Sequence, residues 1–137
     1  MLKYLLDTNT ISEPARPSPN RRLLERLERN AETIAIAAPV WHELLFGFQR
    51  LPPSARRTRI EGYLFGSVIE LPILPYDSAA AEWHAAQRAR LEAKGRVIPF
   101  VDGQIAAVAQ VNGLIVVTAN LAHFEAFEGL QSESWIG

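Results

Sequence analysis

Three carboxylates and a carboxamide sit where this chain passes from one element to the next. They are Asp7 in "YLLDTNTIS", Glu43 in "PVWHELLFGF", Asp102 in "PFVDGQIAAVAQVNG" and Asn120 in "IVVTANLAHF". The chain has three aspartates against twelve glutamates, and most of the glutamates fall on helical stretches, where Glu is a natural solubilising acid. Asp7 is not explained that way. It ends an apolar run, where a charge is expensive. Each of the four also has a plainer reading. Asp7 would be a turn residue bonding the backbone near Asn9, and Asp102 and Asn120 would be helix caps. Glu43 would be an ordinary acid bordering the stripe Val40, Trp41, Leu44, Leu45 and Phe48, with Gly47 leaving room beneath it. Taken together, they predict a cluster. Two carboxylates about 4 Å apart repel by about 4 kcal/mol at an effective dielectric near 20. Such a cluster needs a raised pKa or a cation. Hard oxygen donors with water favour Mg2+ or Mn2+, ions that serve phosphate chemistry.

The elements that must position these groups alternate. Residues 2–6 read as a strand, 21–30 as a helix with Leu23, Leu24 and Leu27 on one face, and 33–37 as a short strand. Pro39 opens a helix over 40–50, and Ser54 caps another to about Phe65. Residues 68–74 read as a strand and 78–94 as a long helix closed by Gly95. The spacing predicts a helix over 102–111, a strand over 114–118, a short helix over 121–127 and a last short strand before Trp135. Asp102 shares a face with Ile105, Ala106 and Ala109, so it heads a buried stripe. Strands separated by helices predict an α/β chain with a mostly parallel central sheet. In such sheets ligands bind beyond the carboxyl ends of the strands, and Asp7 lies at that edge.

Composition narrows the classes. At 137 residues and 48% hydrophobic, the chain fits one globular domain spanning 1–137. It has no cysteine, so disulfides and thiolate metal sites are excluded. No apolar run approaches the roughly 18 residues of a membrane span, and no signal-peptide pattern precedes the first strand. The expectation is a soluble, cytoplasmic domain with no membrane partner. The net charge is −1, but residues 1–60 carry ten Lys or Arg against six acids, and 61–137 carry four against nine. Twelve of the fourteen basic residues are Arg, whose fork suits phosphate. Arg50, Arg56, Arg57 and Arg59 are the expected track for a nucleic-acid backbone. His42, His84 and His123 match no local zinc spacing. "DTNT" differs from the DxDxT of phosphoaspartate enzymes at Asn9, and neither lysine, Lys3 nor Lys94, is placed for a phosphoreceiver.

"LLDTNTISE", "PVWHELLFG", "DGQIAAVA" and "VVTANLAHF" resemble, in order and spacing, the four motifs of PIN-domain ribonucleases. The resemblance covers nearly the whole chain and is closest to the VapC toxins of VapBC-type toxin–antitoxin pairs, in their FitB-like branch. It implies a three-layer α/β/α fold and a Mg2+- or Mn2+-dependent endoribonuclease. The implied catalytic residues are Asp7, Glu43, Asp102 and Asn120. Of these, Asp7, Asp102 and Glu43 would be the metal ligands, with Thr118 near the metal. Asn120 offers one neutral oxygen where many relatives have a charged acid, so a second metal site is not implied. An RNA substrate, a homodimer and a small antitoxin that blocks the active site are also implied. The alternative is a degenerate PIN domain that binds a DNA-binding antitoxin without significant nuclease activity.

Overall fold

The computed structural model describes residues 1–136. A five-stranded sheet forms its centre. Its strands are β1 (Tyr4–Leu6), β2 (Ile34–Ala37), β3 (Ile73–Leu74), β4 (Ile115–Val117) and β5 (Ser132–Glu133). They lie in the order β3-β2-β1-β4-β5, and every pair is parallel. The central strands β1 and β2 are buried along their whole length, as expected of parallel strands covered on both faces.

Seven helices connect them: α1 (Thr8–Ile11), α2 (Arg21–Arg29), α3 (Ala38–Gln49), α4 (Ala55–Gly66), α5 (Ser78–Ala93), α6 (Phe100–Val111) and α7 (Leu121–Glu125). The chain steps from β1 outward to β2 and β3, then crosses back to β4 and on to β5. Right-handed connections put the helices of these two journeys on opposite faces, giving three layers. The reversal between β1 and β4 is the switch point at which such sheets open a crevice.

Local chemistry explains most boundaries. The side chains of Asn20, Ser54 and Asp77 accept the backbone N–H groups of Leu23, Arg57 and Ala80 and so start α2, α4 and α5. Gly95 and Gly113 take positive φ just after α5 and α6. Two expectations need correction. Val68–Glu70 is a 3-10 turn, and β3 is only Ile73–Leu74. Pro72 has no N–H to give the sheet and contributes only its carbonyl, to Ile36. Helix α6 begins at Phe100, so Asp102 lies inside its first turn rather than at its cap. The stretch after Asp7 is also more regular than a loop, with α1 followed by a 3-10 turn at Glu13–Ala15. Buried Glu13 organises that turn, accepting from the Asn20 backbone and from Arg16.

Candidate active site

Asp7 stands at the carboxyl end of β1, beside the end of β4. Its backbone N–H donates to the Val117 carbonyl at 2.9 Å, so the sheet itself fixes its main chain. The side chain caps α1, Oδ1 accepting from the Thr8 N–H at 2.7 Å. Oδ2 accepts from the Thr118 hydroxyl at 2.8 Å and from the Asn9 amide at 3.3 Å. The residue is only 5% exposed. Burial pushes its carboxyl above the usual carboxylate range. The bonds from Thr118 and Thr8 pull the other way, the charge of Asp102 adds to the rise, and His123 opposes it. The turn-residue reading is therefore partly right: Asp7 does start a helix, but burial and the charge of Asp102 also push its carboxyl up.

That second acid is Asp102. The helix wheel predicts a buried face below it, and Ile105, Ala106 and Ala109 are buried. Its carboxylate does not cap its own helix. It meets Nδ1 of His123 from α7 at 2.6 Å. Asp102 is mostly covered at 16% side-chain exposure, while His123 is 41% exposed. Sequence reasoning passed over His123 because no zinc spacing includes it. The available signal was its place, three residues past Asn120 at the head of a short helix after β4.

Asn9 was also missed. Its side chain reaches from α1 to the loop after β4, where Oδ1 accepts the Ala119 N–H at 3.1 Å, while its amide donates to Asp7. Thr118 sits where the motif predicts it, buried, donating to Asp7 and accepting the Asn120 N–H at 2.9 Å. Asn120 is exposed at the head of α7, and its side chain makes no capping bond. Glu43 lies on α3, half-buried. A Cβ at Gly47 would meet nothing within 4 Å, so the room expected beneath Glu43 is present.

The donor set fits a hard divalent cation in part. Asp7 and Asp102 interact through their charges, and an ion between them would relieve both the burial cost and the repulsion. Among the described residues, however, no three His, Asp or Glu side chains form a group that could hold a metal ion. Asp7, Asp102 and Glu43 thus do not make a ready-built cage.

The arginines expected to track RNA are mostly engaged elsewhere. Arg57 lies over Phe48 and caps the end of α3, donating to the carbonyls of Phe48, Gln49 and Leu51. Arg59 donates to the Ala15 carbonyl at 3.2 Å, and Arg50 lies over Phe46. Beside Arg59, the Tyr63 hydroxyl donates to the Ile11 carbonyl at 2.6 Å, so α4 braces the α1 segment.

Residues 4–129 match the family model of the PIN domain. The chain is 35% identical to the tRNA(fMet)-specific endonuclease VapC of Salmonella typhimurium, over 98% of this chain and 99% of that one. It is 33% identical to the toxin FitB of Neisseria gonorrhoeae, over 96% and 97%. The solved structure of DNA-bound VapBC from Salmonella typhimurium superposes with a TM-score of 0.87 at 34% identity, covering 98% of this chain and 99% of the other. No helix among the described residues is long and apolar enough to cross a membrane.

Proposed function

This chain belongs to the PIN-domain family, and on that premise we propose that it is an endoribonuclease and the toxin of a VapBC-type toxin–antitoxin pair, dependent on Mg2+ or Mn2+. The observation that carries the reading is the buried Asp7 carboxylate. It is pinned by three donors at the switch point of the sheet and faces a second acid. A fold that needed only a helix cap there would not set it against Asp102. Similarity to a tRNA(fMet)-specific endonuclease and to a toxin supports RNA as the substrate class.

Asp7 and Asp102 would hold the cation, with Glu43 as the third acid turned to it. When bound, the ion supplies polarisation of the phosphoryl oxygen and a water of lowered pKa. Thr118 and Asn9 keep Asp7 in one rotamer, as tight catalytic geometry requires. Glu43 orients the attacking water in line with the bond from phosphorus to the 3′ oxygen. The water oxygen bonds to phosphorus and gives up a proton to solvent, the bond to the 3′ oxygen breaks, and that oxygen takes up a proton to become the hydroxyl. The products carry a 5′-phosphate and a 3′-hydroxyl. Asn120 lies beside this centre as a neutral ligand for substrate oxygens. Residues 1–137 act as one cytoplasmic domain, paired as a homodimer and silenced by a small antitoxin whose Lys or Arg enters the acidic crevice. The DNA-bound VapBC complex is the similar assembly.

The test is RNA cleavage together with Mn2+ titration of wild type and Asp102→Ala. Cleavage that needs the ion, with weaker Mn2+ binding in the variant, is expected. Equal Mn2+ affinity in both proteins would reject the ligand assignment. A metal-loaded wild type that leaves RNA intact would leave the binding-only alternative standing.

A further inference from the structure

On the far side of α6 from Asp102, the chain forms a cavity that the proposed chemistry does not use. Helix α5, the connection after it and the head of α6 enclose about 190 Å³. Phe100, the first residue of α6, lines it and remains 50% exposed. Val97 beside it is exposed. The Arg88 guanidinium lies over the Phe100 ring, 5.2 Å from its centre, and also pairs with Glu92 at 3.4 Å. Behind the ring, buried His84 packs at 4.9 Å.

This rim carries Arg88 and Arg96 beside Glu92, in the half of the chain that is otherwise acid-rich. Arg96, exposed on the same rim, donates to the Ala122 carbonyl at 3.0 Å. Ala122 adjoins His123, which holds Asp102. Arg96 thereby ties the rim of the cavity to α7, the helix whose His123 meets Asp102.

We propose that this cavity is a nucleobase subsite for single-stranded RNA. A base near the cleaved bond stacks on the exposed face of the Arg88 guanidinium, which rests on the Phe100 ring, and Arg96 pairs with the neighbouring phosphate. Every base has a π face, and stacking on aromatic and guanidinium planes is how unpaired bases are held. The guanidinium already resting on Phe100 provides the platform. A surface that read only the backbone would gain nothing from a half-exposed aromatic. The inference rests on the ribonuclease reading and adds to it where the substrate is gripped.

The probe is a short RNA with 2-aminopurine beside the cleaved bond, and a matched RNA with an abasic position there. Wild type quenches the fluorophore on binding in EDTA. Phe100→Leu keeps the apolar contact with His84 and removes the π face. It raises KM about tenfold with kcat within about twofold, and it abolishes the quenching. The abasic RNA costs wild type a similar factor and costs Phe100→Leu almost nothing. Arg88→Gln gives the same pattern more weakly and carries the test if Phe100→Leu melts early. Cleavage by wild type with KM and abasic penalty unchanged in both variants overturns the subsite and leaves the nuclease reading intact. Unchanged RNA kinetics with an altered sedimentation coefficient would make this face a contact between copies, and the subsite wrong. Absence of any cleavage by wild type overturns both.

Discussion

The end of β1 and the first turn of α6 each carry one carboxylate, and they hold it in opposite ways. Asp7 is buried, fixed through its backbone to β4 and through its side chain to three donors. Asp102 is partly open and meets a single imidazole on a short helix. One acid is held by three donors and carries the desolvation cost, and the other rests on one partner. In the proposed cation site they would be a fixed wall and an adjustable wall.

The largest test of this contrast removes the fixed wall. Asp7→Asn should lower RNA cleavage about a thousandfold, roughly 4 kcal/mol of barrier, and still fold. Its stability should shift with pH in a defined direction. Burial raises the folded pKa of Asp7, so folding takes up a proton. The residue's contribution is then best below the ordinary carboxylate range and declines as pH rises from there to the raised value. Melting curves in EDTA should show Asp7→Asn equal to wild type in acid and more stable at pH 7. A variant that fails to fold would reduce Asp7 to a helix cap.

Removing the adjustable wall should cost less. Asp102→Asn should reduce cleavage about a hundredfold, near 3 kcal/mol, because water and Glu43 can take over part of its work. Equal losses at the two positions, measured as kcat/KM, would break the contrast. Gly103→Ala tests whether α6 is set by α5. A Cβ there would overlap Nε2 of His84 and lie 2.7 Å from its Cδ2, while the Tyr76 hydroxyl ties His84 at 2.8 Å. The variant should lose about 2 kcal/mol of stability by denaturant titration. The smallest expected effect is Thr118→Val, which deletes the hydroxyl on Asp7. About 1 kcal/mol of stability and about a fivefold loss in kcat are expected. A kcat equal to wild type would mean that Thr8 and Asn9 position Asp7 without it.

Much of this was legible before any coordinates. Period and punctuation placed all five strands, with four inside somewhat longer readings, and the six longer helices, because apolar runs, caps and closing glycines act within a few residues of each other. The rule that parallel sheets bind ligands at their carboxyl edge gave Asp7 its meaning. Sequence could not separate three aspartates by partner. Asp77 is purely a cap, Asp7 is a cap with a second duty, and Asp102 is no cap. His123 reaches Asp102 across 21 residues, and Asn9 reaches Ala119 across 110. Contacts at such separations leave no local pattern. The arginine cluster misled for the same reason. Arg57 and Arg59 look like free charges in a row, but they close the end of α3 and brace the segment after Asp7.

The place of β1 in the middle of the sheet also decides when the surroundings of Asp7 are completed. Its neighbour on one side, β2, follows about thirty residues later. Its neighbour on the other, β4, is Ile115–Val117. The hydroxyl that steadies Asp7 comes from 111 residues downstream. During translation the first strand and its acid emerge early, and their surroundings stay incomplete until β4 and Thr118 are made. A product that stops before Thr118 has Asp7 without that hydroxyl, and one that stops before Asp102 lacks the second acid as well.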